Sequence, residues 1–400
     1  MRYKIAYLTS KNPHDKRVSS GVYYYQSKAL EKFCGEVHYL GPVNNYPVKF
    51  IRKLIHFLNR FSKRKIIASH NTIISRIYGI IFSRKLKNQQ FDFVFADKTS
   101  SEIAYLNTKL PVIYSTDATF ALLHNYYTGF SNLNRFSAKS GNTIEKRAIL
   151  NSEMIFCTSE WAASSVKNNY NFSPEKLFVL PRGANIDKIP PAAILEKKRK
   201  SETCRLLYMG HDWYRKGYDI AYKTMNYIRT RGIPVKLVAI GCSPPPDLID
   251  NDVEVVNYIN KNSEEGRKLF EKLMLDADFY LLPTRAECLG IAFCEASAYG
   301  LPVITTDTGG VTQVVKNGIN GYALERNSDH TEYGDRIISI YKSDAEYYKL
   351  VKSSRKYFDE NLSWDLWGKK IKTILDNSLP DLITDKALSS PGELTKHKSA

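Results

Sequence analysis

The sequence has 400 residues, 43% hydrophobic and 25% charged, with 21 Gly and 16 Pro; this excludes a disordered, collagen-like or disulfide-stapled chain and suits a globular protein of two domains. Lys and Arg number 58 against 41 Asp and Glu, a net charge of +17 that implies a polyanionic neighbour: nucleic acid, anionic lipid or nucleotide phosphate. The six cysteines (Cys34, Cys157, Cys204, Cys242, Cys288 and Cys294) include no C-x-x-C pair, which argues against a zinc site or a disulfide framework and fits a reducing cytoplasm.

The first predicted element is a strand over 3–9, whose apolar run ends before Lys11, Pro13, His14 and Asp15 and is too short for a signal-peptide core. A strand follows over 36–40. From Val37 to Phe91 there are eleven basic residues and no Asp or Glu. Within this stretch Ile51, Leu54, Ile55, Leu58 and Phe61 recur at helical spacing, while Lys49, Lys53, His56, Arg60 and Lys63 share another face. Such a basic amphipathic helix suits an anionic membrane surface touched through residues 49–87, or a helix packed on a core with a solvated outer face; no nucleic-acid recognition motif accompanies the charge. The most apolar stretch, Ile66 to Phe82, is interrupted by His70, Asn71 and Arg76 and is not a membrane span.

Strands over 91–96, 111–115, 153–157 and 177–180 complete an N-terminal doubly wound domain, residues 1–182. The polar, irregular segment 183–203 reads as a linker. Strands over 204–209, 235–240, 253–256, 278–282 and 302–305, with helices over 331–341 and 344–358, predict a second Rossmann-like domain, residues 204–360. A further helix within 361–378 is free to return to the first domain, and 379–400 has no apolar period and is expected to be disordered.

In an open parallel sheet the ligand sits outside the carboxyl ends of the strands, so the loops there carry the information. After 204–209, Gly210 permits a tight turn and Arg215 and Lys216 precede Gly217 at a helix start: a diphosphate clamp, or two solvated charges. After 278–282, Glu287 lies in the loop, Gly290 and Ile291 open the next helix, and Glu295 is one turn along it. The free N–H groups of that helix end suit phosphate oxygens, whereas a carboxylate suits a vicinal diol. The bland alternative for the two glutamates is a helix cap and a surface charge. Gly309 and Gly310, after 302–305, are candidates for the same anion, and the loop GCSPPPD after 235–240 for a pocket wall. Neither a G-x-G-x-x-G fingerprint nor a Walker phosphate loop is present. The runs Asp250-Asn251-Asp252 and Asp276-Ala277-Asp278 precede strands, away from the ligand side, and read as solvated turns, so no metal is expected.

The segment from Glu287 to Glu295, followed by EASAYGLPVITTDTGG and NGINGY, resembles the signature of glycosyltransferase family 4, retaining enzymes of the GT-B fold; RKG at 215–217 and SSG at 19–21 stand where that family has its Lys-Gly and Gly-Gly loops. The resemblance covers roughly residues 3–375 and implies two Rossmann-like domains facing each other across a cleft. It implies that Glu287 contacts hydroxyls of the donor sugar, that Glu295 holds the ribose, that Lys216 neutralises the diphosphate, and that the N–H groups of Gly290 and Ile291 bind it. The resemblance also implies that Ser20 and Gly21 would approach the phosphates and the acceptor, and that Asp117, in the TDATF run where related enzymes often carry a His, would face the anomeric carbon unless it merely caps a helix. The donor would be a nucleotide diphosphate sugar with no separate cofactor, the acceptor a saccharide or lipid-linked saccharide, and the setting cell-surface polysaccharide synthesis. An epimerase or phosphorylase of the same fold, and a non-catalytic membrane-surface protein, are the alternatives. Three departures bear on donor choice: His211 after Gly210 where many members carry Arg, Leu289 for the usual Phe, and Thr312-Gln313 for Pro-Glu.

Overall fold

The computed structural model describes residues 2–388 apart from Lys197. In the N-terminal half, β1 (Tyr3–Leu8), β2 (Gly35–Tyr39), β3 (Phe93–Asp97), β4 (Val112–Thr116), β5 (Met154–Cys157) and β6 (Leu177–Val179) form a parallel sheet in the order β2-β1-β3-β4-β5-β6. Strands β3, β4 and β5 are buried along their whole length, as expected of continuous apolar runs covered by helices on both faces. In the C-terminal half, β7 (Cys204–Met209), β8 (Val235–Ile240), β9 (Val253–Val256), β10 (Phe279–Leu282), β11 (Val303–Thr306) and β12 (Gly321–Leu324) form a second parallel sheet, ordered β12-β11-β10-β7-β8-β9. The molecule is therefore two Rossmann-like domains, and each sheet reverses its strand order once: between β1 and β3, and between β7 and β10. Ligands of such sheets bind at these switch points.

β12 was not expected from the sequence. Its four residues are mostly half-buried and follow a Gly-bearing turn, too short a run for a period-2 signal.

The last helix, Trp364–Leu388, leaves the second domain and packs Trp367, Ile371, Leu375 and Leu379 with Tyr3, Ile5 and Leu30 of the first. It runs through Pro380, so 379–388 is helical rather than part of a tail; residues 389–400 lie outside the described residues. The linker is tied down where it crosses this return: the Ala184 N–H donates to the Leu362 carbonyl, and Gly183 lies so close to the Trp364 backbone that a Cβ would fall 2.3 Å from its nitrogen. A short helix, Ala192–Glu196, interrupts the irregular linker.

The basic segment folds as two helices. After α1 (Val22–Phe33) and β2, α2 (Tyr46–Leu58) starts at Asn45, whose side chain accepts from the Val48 N–H, with Pro47 in the first turn. Only Val48 and Ile55 of α2 are buried. The predicted apolar stripe is split: Ile55 is buried and Ile51 packs on the core, whereas Leu54, Leu58 and Phe61 are exposed, joined by Tyr46 at 80%, Phe50 at 68% and Phe57 at 54%. The helix ends at Leu58, so Phe61 and Lys63 lie beyond it. α3 (Thr72–Leu86) carries most of the apolar stretch and packs Ile74, Tyr78 and Phe82 into the first domain's core. No helix among the described residues is long and apolar enough to cross a membrane.

Asp278 is not a solvated turn residue. It is buried, accepting from the Ser201 and Arg205 N–H groups and from the Tyr347 hydroxyl, which ties the start of β7 to β10. Asp250 and Asp252 instead pair with Arg229 at the protein surface.

Candidate active site

The loops at the two switch points face each other across a cleft of about 530 Å³. Its wall contains Ser20, Asp117, Gly210, Arg215, Lys216, Glu287, Gly290, Ile291 and Glu295. Gly21 stands behind this wall, at φ 85° as the residue before α1. Ser19 and Ser20 also adopt left-handed conformations, so three consecutive residues turn the chain towards the cleft. The Ser20 carbonyl accepts from the Asn185 amide, whose Oδ1 accepts from the Trp364 indole at 2.8 Å. The hinge segments thus hold this loop.

On the C-terminal side the tight turn needs its glycines. Gly217 has φ 75°, and a Cβ there would lie 1.9 Å from the Pro283 carbonyl; Gly290 has φ 89° and is stacked against Phe293. Gly290 precedes the helix Ile291–Ala298, whose first N–H groups open onto the cleft. Two cation–carboxylate pairs line the same wall. Lys216 Nζ donates to Glu287, and Lys261 Nζ donates to Glu295 at 2.7 Å while also reaching the Asn185 carbonyl. Glu295 is buried, and burial pushes its carboxyl up from the ordinary range against the pull of Lys261.

Arg215 is neither a solvated charge nor a free clamp. Its guanidinium donates to the Ala286 carbonyl at 2.8 Å and lies 4.9 Å from the centre of the Tyr127 ring, so it fixes the Glu287 loop from below. Gly309 and Gly310 do not face the anion position. They pack against the Glu287 and Cys288 carbonyls, where a Cβ would sit 2.0 and 2.2 Å away, and so brace that loop from behind. Of the loop after β8, Gly241 lines the cleft, with its carbonyl 3.3 Å from His211 Nδ1.

Asp117, just past β4, binds Arg182 at 2.8 Å and lies 3.8 Å from Lys98. Burial alone would raise its carboxyl, but Lys98 and Arg182 outweigh this and hold it below the usual range, as an anion at the cleft floor. Arg182 also binds the fully buried Asp97 at 2.6 Å.

Sequence reasoning missed Lys261, Arg182, Lys98 and the Tyr126–Tyr127 pair. The signal for Lys261, Arg182 and Lys98 is position: each follows the end of a strand (β9, β6 and β3). Tyr126 and Tyr127 carry no such signal. They reach across from the first domain, the Tyr126 hydroxyl accepting from the Glu287 N–H and donating to its carbonyl or bonding Thr308, and the Tyr127 hydroxyl accepting from the Cys288 N–H.

A second cavity of about 350 Å³ lies in the first domain behind Asp117 and Lys98 and contains Glu102, Glu145 and His70. Burial pushes Glu145 up to about 7 and His70 down to about 4, so both are neutral near pH 5.5. Because the folded form holds the Glu145 proton more tightly than the unfolded chain, its contribution to stability is present below about 4.5 and lost as pH rises through about 7. Glu145→Gln, which cannot ionise, is therefore expected to gain on the wild type by about 3 kcal/mol between pH 5 and pH 8.5. Melting curves at the two pH values check this, and a difference that does not change with pH would contradict it.

Residues 22–188 match the family Glycosyltransferase Family 4 and residues 193–357 match Glycosyl transferases group 1, so the two matches take in most of the chain. An uncharacterized glycosyltransferase of Methanocaldococcus jannaschii is 28% identical over 41% of this chain, and the chain spans less than half (43%) of that relative's length. Among solved structures, sucrose-phosphate synthase of Thermosynechococcus elongatus superposes with a TM-score of 0.70 at 15% identity, covering 95% of this chain and all (100%) of that one. Anabaena HepE, solved with UDP and glucose, superposes with a TM-score of 0.62 at 13% identity over 94% of this chain and 100% of its own.

Proposed function

Because the chain belongs to glycosyltransferase family 4 and has the GT-B fold, we propose that it transfers a sugar from a nucleotide diphosphate sugar to a saccharide or lipid-linked acceptor with retention at the anomeric carbon. The observation that carries this reading is the meeting of Lys216–Glu287, Lys261–Glu295 and the helix end at Gly290 in one cleft at both switch points. The C-terminal wall offers cations and free N–H groups to a diphosphate, and carboxylates to the hydroxyls of ribose and donor sugar. Positive charge at the leaving diphosphate lowers the barrier electrostatically as the glycosidic bond breaks. Asp117 faces the anomeric carbon from the opposite wall, and its anionic state suits the positive charge that develops there.

This charge comes from Lys216 and a helix end, so transfer is expected to continue in EDTA. Proton NMR of the product should show the donor's anomeric configuration. Inversion, or loss of activity on chelation that manganese or magnesium restores, would contradict the reading.

The exposed face of α2 supports a further part of it: attachment to an anionic membrane surface on the cytoplasmic side. Large aromatic side chains turned to solvent beside Lys49 and Lys53 of α2, with Arg60 and Lys63 just past its end, match an interfacial segment in which each cation near the surface contributes about 1 kcal/mol. The protein is expected to sediment with anionic vesicles and less with neutral ones. Lys53→Glu, Arg60→Glu and Lys63→Glu together, or Phe57→Ser with Phe61→Ser, should release it; sedimentation indifferent to lipid charge and to both variants would contradict this.

A further inference from the structure

Glu287 belongs to the second domain, yet its backbone is held by the first. Its loop, 283–290, lies between β10 and the helix Ile291–Ala298, so its backbone groups are satisfied one by one and not by a ladder. The Ala286 carbonyl accepts from Arg215 at 2.8 Å. The Glu287 N–H donates to the Tyr126 hydroxyl at 2.9 Å and the Cys288 N–H to the Tyr127 hydroxyl at 3.2 Å; neither N–H has a backbone partner among the described residues. The Tyr126 hydroxyl also lies 3.0 Å from the Glu287 carbonyl oxygen and 2.9 Å from Thr308 Oγ1, donating to one of the two.

The two tyrosines are presented by a tight turn. After the helix Phe120–Leu123, Asn125 takes a left-handed conformation at φ 62°, and the Tyr126 and Tyr127 N–H groups both bond back to the Leu123 carbonyl. Their rings stack with centres 5.4 Å apart, Tyr126 packs on Trp161, and the Arg215 guanidinium covers Tyr127. Neither tyrosine belongs to the cleft wall, so any effect on the donor passes through the Glu287 backbone.

We propose that Tyr126 and Tyr127 are positioning residues that set Glu287 only while the two domains are closed on each other. The inference rests on the proposed transferase reading and deepens it by naming residues that act on the sugar contact and not on the nucleotide. The tyrosines and Glu287 follow strands of different sheets, and the chain crosses between the domains near Gly183 and again near Trp364. A rotation there that carries the hydroxyls more than about 3.5 Å from the two N–H groups breaks the grip. Lys216, Glu295 and the helix end at Gly290 all lie in the second domain, so a nucleoside diphosphate meets the same groups whether the cleft is open or closed. Glu287 alone is brought into register by closure, which ties the sugar contact to the state that excludes water.

Tyr126→Phe with Tyr127→Phe keeps the stacked rings and removes both hydroxyls, so the melting temperature should hold. Hydrogen-exchange mass spectrometry of the full-length protein reads the grip without a ligand: amides in 284–290 should exchange about tenfold faster in the double variant. Calorimetry with UDP, GDP and ADP should give the same affinity in both proteins. In contrast, kcat, read as nucleoside diphosphate released from UDP-glucose, GDP-mannose or ADP-glucose, should fall by about tenfold. A merely structural role would lower affinity and kcat together. Unchanged exchange, unchanged kcat, or a parallel loss of nucleotide affinity would overturn the inference while leaving the donor reading intact. Failure of all three nucleotides to bind the wild type would remove the transferase reading and this inference with it.

Discussion

Lys216→Ala is expected to lower kcat by about 100- to 1,000-fold, the usual cost of removing one preorganised charge from the leaving-group side of a transition state. Lys216 sits in the turn between β7 and the helix Tyr218–Thr230, where Gly217 must be left-handed and the Lys216 N–H is bonded to the Asp212 carbonyl, so its position is fixed by backbone and not by a flexible stem. Its ammonium is mostly shielded from water and paired with Glu287. In a shielded site a single positive charge has far more effect on a developing diphosphate anion than it would in water. Loss of the side chain also leaves Glu287 unpaired beside the donor, which adds repulsion. The melting temperature should change little, because the pair lies at the cleft and not in the core. A folded Lys216→Ala protein with near-wild-type kcat would contradict this assignment.

Arg182→Met is expected to destabilise the protein by about 3 to 5 kcal/mol, the range for breaking a buried ion pair by removing one partner. Arg182 is 1% exposed and is the guanidinium partner of both Asp97, fully buried at the end of β3, and Asp117. Without it, the Asp97 carboxylate keeps, among the described residues, the Gln26 amide, 3.4 Å away. The penalty comes from stranded carboxylates and not from lost volume. Adding Asp97→Asn and Asp117→Asn to Arg182→Met should therefore recover much of the loss. Chemical denaturation of the three proteins checks the order, and equal stability of Arg182→Met and wild type would contradict it.

Every strand but β12 was legible to within two residues at either end: β3, β4, β5, β10 and β11 as short runs buried on both faces, and the partly exposed β7, β8 and β9 to the residue, because each is a short apolar-rich run bounded by polar, Gly or Pro residues. The positions of Lys216 and Glu287, in the loops after β7 and β10, and of Glu295, one turn into the helix that follows, came from the rule that residues past a strand end in a parallel sheet lie at its carboxyl edge. What stayed hidden depends on tertiary partners. Arg215 reads as a clamp by sequence because nothing local shows that the Ala286 carbonyl and the Tyr127 ring engage its guanidinium. Gly309 and Gly310 look like anion-binding glycines, yet their lack of a side chain serves the Glu287 loop packed against them. In α2 the spacing of apolar residues was visible, but the direction they face depends on what covers the helix, and α3 covers only the Val48 and Ile55 side. Asp278 gives no sign in sequence of the two backbone N–H groups it receives.

The central claim is that the cleft between the two domains holds the nucleoside diphosphate of a sugar donor against the helix end at Gly290, with Glu295 receiving the ribose hydroxyls. Calorimetric titration of the intact protein with UDP, GDP and ADP tests it most directly. One of the three should bind with a stoichiometry near one, and Glu295→Ala should weaken that binding by about tenfold or more, as expected for loss of a bidentate carboxylate–diol contact of about 1.4 kcal/mol or above. Absence of binding by all three nucleotides, or binding that Glu295→Ala leaves unchanged, would contradict the account.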